Sequence, residues 1–326
     1  MSNLERDPQE TTCGGTATAA EPELLTPRDV PLGGPRAMHV RRTLPHRHRR
    51  MVGAWCFVDH YGPHELSGQV GMQVPPHPHT GLQTVSWLLE GEVLHRDSLG
   101  TTQRIEPGQL NLMTAGRGIS HSEETPAPAE RTTQGLHGVQ LWVALPAAHR
   151  EVPPAFEHHA TLPSVRVDGL SASVVMGSLG GVTSPATTYS PLVGADVSVA
   201  GGSDARLPLE SRFEHAVLVT DGAATVAGRA VARGELLYLP PGPGDVAVAA
   251  ERPTRLLLVG GEPFDEQIVM WWNFVGADHE DVAAAREQWE AQDERFGTVV
   301  GYPGGRLAAP ALPNSRLKAR GRTRDA

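Results

Sequence analysis

His77-Pro78-His79-Thr80-Gly81-Leu82-Gln83-Thr84-Val85-Ser86-Trp87-Leu88-Leu89-Glu90-Gly91-Glu92-Val93-Leu94-His95-Arg96-Asp97 runs from a pair of histidines into two apolar segments joined by a Glu-Gly turn. Gln83 to Leu89 has the Val, Trp and Leu content of a strand, and Glu92 to Asp97 reads as its return before Ser98-Leu99-Gly100 turns again. Short apolar runs punctuated by glycine specify hairpins, because glycine reaches the positive φ that tight turns need. Working outward, Leu110 to Met113 and Gly138 to Ala144 extend the pattern. The second half repeats it with Glu214 to Val219, Ala223 to Val226, Arg229 to Ala232, Leu236 to Leu239 and Arg255 to Val259. Glu90-Gly91 answers to Asp221-Gly222, and Gly108 to Gly234, as two copies of one module would. With 36 glycines and 28 prolines in 326 residues, many turns fit better than a helical bundle. The expected class is all-β: two antiparallel β-sandwich or barrel modules followed by a C-terminal helix.

That helix begins at Asp278, a capping residue with Asp281 three positions on. Val282, Ala285, Trp289 and Phe296 fall on one side at helical spacing, and Gly297 reads as the stop. The helix is expected to pack across a sheet. Residues 1–35 are small and polar and read as a flexible leader. Residues 36–148 form the first module, 149–297 the second with its helix, and 298–326 a flexible tail. Trp271-Trp272 reads as packing between modules.

A net charge of −9 and a pI near 5.9 argue against general binding to nucleic-acid backbones. The charge is uneven: Arg41, Arg42, Arg47, Arg49 and Arg50 cluster, as do Arg316, Lys318, Arg320, Arg322 and Arg324. Both runs read as solvated surface or tail. Cys13 sits in the leader and Cys56 in an apolar run, so Cys56 is expected to be buried and no disulfide is expected. No segment has the length and apolarity of a membrane span, and none reads as a signal peptide, so a cytoplasmic location is expected.

The chemistry lies in two pairs. His77 and His79 are two residues apart, and so are His121 and Glu123. In a strand this spacing sends both side chains to one face. Two such pairs on neighbouring strands would surround one ion with three imidazoles and a carboxylate, a set that suits Fe, Mn, Co, Ni, Cu or Zn and suits Mg or Ca poorly. Four protein ligands leave about two positions of a six-coordinate ion for water, dioxygen or a chelating substrate. A closed structural site would use cysteines, and the chain has no Cys-x-x-Cys. The paired glycines of Thr114-Ala115-Gly116-Arg117-Gly118-Ile119-Ser120 permit a sharp turn before His121. His60, His64 and His95 read as rim or core histidines that could also orient ligands, and Arg117 as a brace or an attractor of anions. Trp87 and Met113 serve equally as core or pocket wall. His215 has no metal-binding companions, so no second metal site is expected.

These residues resemble the pirin family of bicupin metalloproteins. The matching pieces are Gly71 with His77-Pro78-His79-Thr80-Gly81, Leu88-Leu89-Glu90-Gly91, His95-Arg96-Asp97-Ser98-Leu99-Gly100 and Thr114 to Glu123. Val269-Met270-Trp271-Trp272-Asn273-Phe274-Val275 and the helix through Trp289 extend the resemblance over about residues 36–297. It implies a metal held by His77, His79, His121 and Glu123, with the second half a degenerate cupin. General cupins often place an acid where this chain has Gln83, and the pirin pattern supplies it as Glu123 instead. The resemblance implies Fe2+ and a quercetin 2,3-dioxygenase-like reaction, in which a flavonol is cleaved with O2 and carbon monoxide leaves. The implied partners are thus a small aromatic chelating substrate and O2, with Glu123 as the base and a monomer as the expected state. The alternative it implies is an iron-dependent, redox-sensing regulator of a transcription factor or metabolic enzyme.

Overall fold

The computed structural model describes residues 21–32, 38–68 and 70–323. Four sheets stack as two sandwiches placed back to back. In the first module a seven-stranded sheet faces a four-stranded one built from Gln73–His79, Ile119–Glu124, Val93–Asp97 and Thr102–Ile105. Tyr61 and Leu88 of the larger sheet share a core with Val74, Val93 and Ile105 of the smaller. The second module repeats this with eight strands over four, joined through Val217, Leu237, Leu207 and Val248. All pairings inside the named sheets are antiparallel, as expected.

The two large sheets pack on each other, and strand alternation explains how. Along Glu214–Asp221, Val217 and Val219 enter the second module's core, while Ala216 and Leu218 turn to the opposite face. There they join Trp55, Val85, Leu112 and Leu141 of the first module in one buried cluster. A strand buried on both faces reads as continuous apolar sequence, and His215-Ala216-Val217-Leu218-Val219 does so after its first residue. Cys56 lies in this cluster as a free thiol, and burial pushes its pKa up to about 12; Cys13 lies outside the described residues.

Both ends of the chain depart from expectation. Residues 1–20 lie outside the described residues, but the rest of the proposed leader holds two strands. Glu23–Leu25 pairs with Leu236–Leu239 and so extends the second module's sheet, with Leu25 fully buried. Arg28–Leu32 pairs with Met38–Leu44 at the edge of the first. Ala155–His159, assigned by sequence to the second module, instead pairs with Leu110–Thr114 in the first. The described part of the tail, residues 298–323, is packed rather than loose. Leu307, Leu312, Leu317 and Ala319 lie against the cluster of Trp271, Trp272, Phe274, Val282 and Trp289. Trp289 Nε1 donates to the Leu307 carbonyl at 2.8 Å, and Arg320 and Ile268 exchange two backbone hydrogen bonds.

The helix spans His279–Glu290. Asp278 caps it by accepting from the Asp281 amide at 3.0 Å, while the Asp281 carboxylate reaches back to the Ala277 amide at 2.8 Å. The helix ends six residues before Phe296. Phe296 closes a separate 3-10 turn, Glu294–Phe296, and Gly297 at φ 60° stops that turn instead. Trp271 and Trp272 pack in the cluster that the helix, the tail and the hairpin Val269–Trp271 with Phe274–Gly276 make, rather than simply between the modules. No helix of the described residues is long and apolar enough to cross a membrane.

Candidate metal centre

Gln73–His79 and Ile119–Glu124 run antiparallel, and their register sets His77 opposite His121 and His79 opposite Ile119. On its other side Ile119–Glu124 pairs with Val93–Asp97, which sets Glu123 opposite His95. A register shift between His121 and Glu123 marks a bulge against the first neighbour but not the second. The rings of His77, His79 and His121 lie 4.4 to 5.0 Å apart between centroids, and all three are fully buried. Each offers a nitrogen within 4.8 Å of the others.

Hydrogen bonds fix which nitrogens those are. His77 Nδ1 lies 2.9 Å from the Pro75 carbonyl and His79 Nδ1 lies 3.2 Å from the Asn273 carbonyl. A carbonyl only accepts, so both rings carry their proton on Nδ1 and present an Nε2 lone pair. The Nε2 atoms of His77, His79 and His121 are all buried without a hydrogen-bond partner. Burial holds His77 down to about 3, and burial followed by the neighbouring imidazoles holds His79 and His121 well below the usual histidine range. Three neutral imidazoles with unshared lone pairs in a fully buried site would each leave a desolvated acceptor, and a bound transition-metal ion satisfies all three at once. The residues therefore fit such an ion.

Glu123, 1% exposed, forms a second ligand-distance group with His95 and His121. Among the described residues, the two groups meet at His121 rather than merging into one set of four. Ser86 Oγ lies 2.9 Å from Glu123 Oε1 and 2.9 Å from Gln140 Oε1. One hydroxyl proton cannot serve both oxygens. Gln140 Nε2 is buried without a partner. With the amide turned so that Nε2 faces Ser86, the chain Gln140 to Ser86 to Glu123 is satisfied in one direction.

The loops that frame the site explain its glycines. Gly81 has φ +69°, and a Cβ there would stand 2.2 Å from the Val275 carbonyl. That close approach lets Val275 N donate to Thr80 O at 3.0 Å, which places Asn273 beside His79. Trp142 meets the His79 ring edge-on at 5.1 Å.

Of the other residues named from sequence, His95 does join the centre: its Nδ1 lies 3.4 Å from His121 Nδ1, its Nε2 lies 3.2 Å from Asp97, and its ring stacks on Phe156. His60 lies elsewhere, its Nε2 2.8 Å from His137 Nε2. His64 is half-buried and outside both groups, and Arg117 is exposed with its carbonyl receiving Arg295 Nε. Trp87 and Met113 are in the core. Pro75, Asn273, Ser86 and Gln140 were not legible as parts of the site, since two act through main-chain carbonyls and two are ordinary strand residues. Among the described residues, both ligand-distance groups belong to the first module.

Residues 37–143 match the family model for pirin, and residues 194–297 match the model for the pirin C-terminal cupin domain. A Pseudomonas aeruginosa protein named "Putative quercetin 2,3-dioxygenase" is 45% identical, over 89% of this chain and 90% of its own. A pirin-like protein of Caulobacter vibrioides is 39% identical over 77% and 88%. The crystal structure of a quercetin 2,3-dioxygenase from Acinetobacter baumannii superposes with a TM-score of 0.87 at 42% identity, covering 92% of this chain and 98% of that one. The chain belongs to the pirin family.

Proposed function

We propose that this protein is a metal-dependent dioxygenase of the quercetin 2,3-dioxygenase type, with His77, His79, His121 and Glu123 as the protein ligands and Fe2+ as the metal. The observation that carries the reading is the convergence of three partnerless Nε2 atoms in a fully buried cluster. Similarity to the Acinetobacter baumannii quercetin 2,3-dioxygenase over nearly the whole chain supports the reaction class. The donor set also accommodates Mn, Co, Ni, Cu and Zn, so the metal is decided by supply as well as by the site.

When bound, the ion supplies Lewis acidity toward a vicinal hydroxyl and carbonyl, and the redox chemistry that O2 needs. The chain's own residues do the rest. The Pro75 and Asn273 carbonyls hold His77 and His79 in the tautomer that donates through Nε2. Burial keeps all three imidazoles neutral at physiological pH. Glu123 accepts the proton of the substrate hydroxyl, and Ser86, bonded to its Oε1, orients the carboxylate for that transfer. The substrate class is a small planar aromatic bearing adjacent hydroxyl and carbonyl groups.

Iron-loaded protein incubated with quercetin, with and without O2, tests this reading. Oxygen-dependent loss of quercetin with release of carbon monoxide is expected. Turnover that is the same without O2, or that yields no carbon monoxide, would refute it.

A further inference from the structure

His95 and Asp97 stand two residues apart on Val93–Asp97, so the strand sends both side chains to one face. Both are buried, and neither belongs to the proposed ligand set. Register sets Asp97 opposite His121 and His95 opposite Glu123. Asp97 Oδ1 accepts from the amides of Leu99 and Thr101 at 2.9 and 3.0 Å. These two bonds tie the carboxylate to the turn that follows its strand. They leave Oδ2 to His95 Nε2, 3.2 Å away. Phe156 stacks on the His95 ring, with centroids 4.5 Å apart and planes 24° apart, so the plane of the ring is held as well as its edge.

This chain of contacts dictates where the protons sit. A carboxylate only accepts, so His95 carries its proton on Nε2 and presents a lone pair at Nδ1. That lone pair faces His121 Nδ1 at 3.4 Å. Two bare nitrogens would repel across this gap, whereas one proton between them makes a hydrogen bond, and His121 is the ring left to supply it. His121 is then protonated on Nδ1 and bare on Nε2, the atom that lies buried without a hydrogen-bond partner. The Pro75 and Asn273 carbonyls reach the same result at His77 and His79. At His121 a pair of side chains takes the place of the main-chain carbonyl.

We infer that Asp97 and His95 are positioning residues, which hold His121 as its Nδ1–H tautomer so that Nε2 is free for a metal ion. The inference rests on the metal reading of the three histidines and not on the oxygenase reaction. It separates His95 from the ligands although His95 lies within ligand distance of His121 and Glu123, because its Nδ1 is taken up by the His121 proton. Outer partners of this kind are worth about 10- to 100-fold in metal affinity. Asp97→Asn is the decisive substitution. The Leu99 and Thr101 amides keep the side-chain oxygen, so the new amide nitrogen faces His95 Nε2. Donor then meets donor, and His95 must move its proton to Nδ1. His121 Nδ1 must accept that proton's bond, which leaves the His121 proton on Nε2, where the metal would bind.

The test is nitrogen-15 NMR of histidine-labelled, chelator-treated protein in mildly alkaline buffer, where long-range couplings show which ring nitrogen holds the proton. His121 is assigned by the signals that His121→Gln removes. The parent should show His121 protonated on Nδ1 and His95 on Nε2. Asp97→Asn should move the His121 proton to Nε2 and weaken Zn2+ binding by about 10- to 100-fold in calorimetric titration. His95→Leu, which removes the acceptor, should leave His121 without a fixed tautomer and weaken Zn2+ by a similar factor while still taking up one equivalent. A parent His121 protonated on Nε2 would overturn the inference, and its spectrum decides this even if neither variant folds. So would an Asp97→Asn variant that keeps the parent tautomer, whatever its affinity, or loss of all Zn2+ from folded His95→Leu, which would make His95 a ligand. A parent that takes up no Zn2+ refutes the metal reading instead, and the metal-free spectrum still decides the tautomer.

Discussion

His79 Nδ1 lies 3.2 Å from the main-chain carbonyl of Asn273, 194 residues further along the chain. A histidine of the candidate metal centre in the first module is thereby oriented by a hairpin in the C-terminal part of the chain, Val269–Trp271 with Phe274–Gly276. Asn273 is held by its neighbours: Phe274 is fully buried, meets Trp272 edge-on at 5.4 Å and packs against Phe296 at 6.1 Å. Phe274→Ala should therefore act twice. Calorimetry should show a loss of about 3 to 5 kcal/mol for the emptied core position. Metal titration of the folded variant should show affinity down by about 10- to 100-fold, because His79 loses its orienting carbonyl. A variant that is destabilised but binds metal as before would show that the hairpin only supports the fold.

His77→Ala removes one of the three converging lone pairs and leaves the Pro75 carbonyl without its donor. Loss of one unpaired buried acceptor offsets part of the cost of the emptied position and the orphaned carbonyl, so the apo variant should lose only about 1 to 3 kcal/mol. Stoichiometric metal by mass spectrometry should be lost. Retention of a full equivalent would remove His77 from the ligand set.

Ser86→Ala deletes a hydrogen bond to Glu123 Oε1 and leaves Gln140 without its neighbour. Losing a donor to the carboxylate raises its pKa. The expected outcome is unchanged metal content, quercetin turnover down by about tenfold or more, and an acidic limb of the kcat/KM profile displaced to higher pH. Reduced activity with an unmoved limb would assign Ser86 to packing alone.

The two-residue spacing made the histidine pairs legible, because a strand's period is a local property that survives any tertiary arrangement. The same logic found the strands on either side of Gly91 and Gly222 but misread each pair as a hairpin. Leu82–Glu90 and Val93–Asp97 lie in different sheets, as do Glu214–Asp221 and Ala223–Val226, so each glycine turn carries the chain from one sheet of its sandwich to the other. What it could not find was anything decided by a distant partner. Glu23-Leu24-Leu25 is too short to declare itself a strand, and it becomes one only because Leu236–Leu239 offers an open edge. The apolar residues of the tail, Leu307, Leu312 and Leu317, follow neither strand nor helix period, since they pack one at a time onto Trp289 and its neighbours. Two of the groups that shape the site are main-chain carbonyls, which no side-chain pattern can announce.

Leu25 makes this concrete. It is fully buried in the cluster between the large sheets and pairs with Leu236 across the module boundary. Leu25→Ala should cost about 2 to 5 kcal/mol in chemical denaturation. A change under about 0.5 kcal/mol, the usual range for surface substitutions, would mean that the strand is a decoration rather than a part of the core.

The buried pair His60 and His137 contributes to the pH dependence of stability away from the metal centre. Arg41 Nη2 lies 3.3 Å from His60 Nδ1, and an arginine only donates, so His60 keeps its proton on Nε2 and gives it to His137 Nε2 at 2.8 Å. Burial, then the Arg41 charge, pulls His60 down to about 2, and burial pulls His137 down to about 4. Both folded values lie below the unfolded value near 6.5. Above that value neither state binds these protons and the pair's contribution is intact. As pH falls below about 6.5 the unfolded chain takes up protons that the folded chain refuses, so stability declines until the folded groups titrate. Between pH 7 and pH 5 the loss should be on the order of 1 kcal/mol for each histidine. Denaturant titrations of metal-free protein at pH 7, 6 and 5, set beside the His60→Leu/His137→Leu variant, isolate the pair from the ligand histidines. The variant should show the shallower decline, and parallel declines would mean that these two imidazoles take up protons in the folded chain as readily as in the unfolded one.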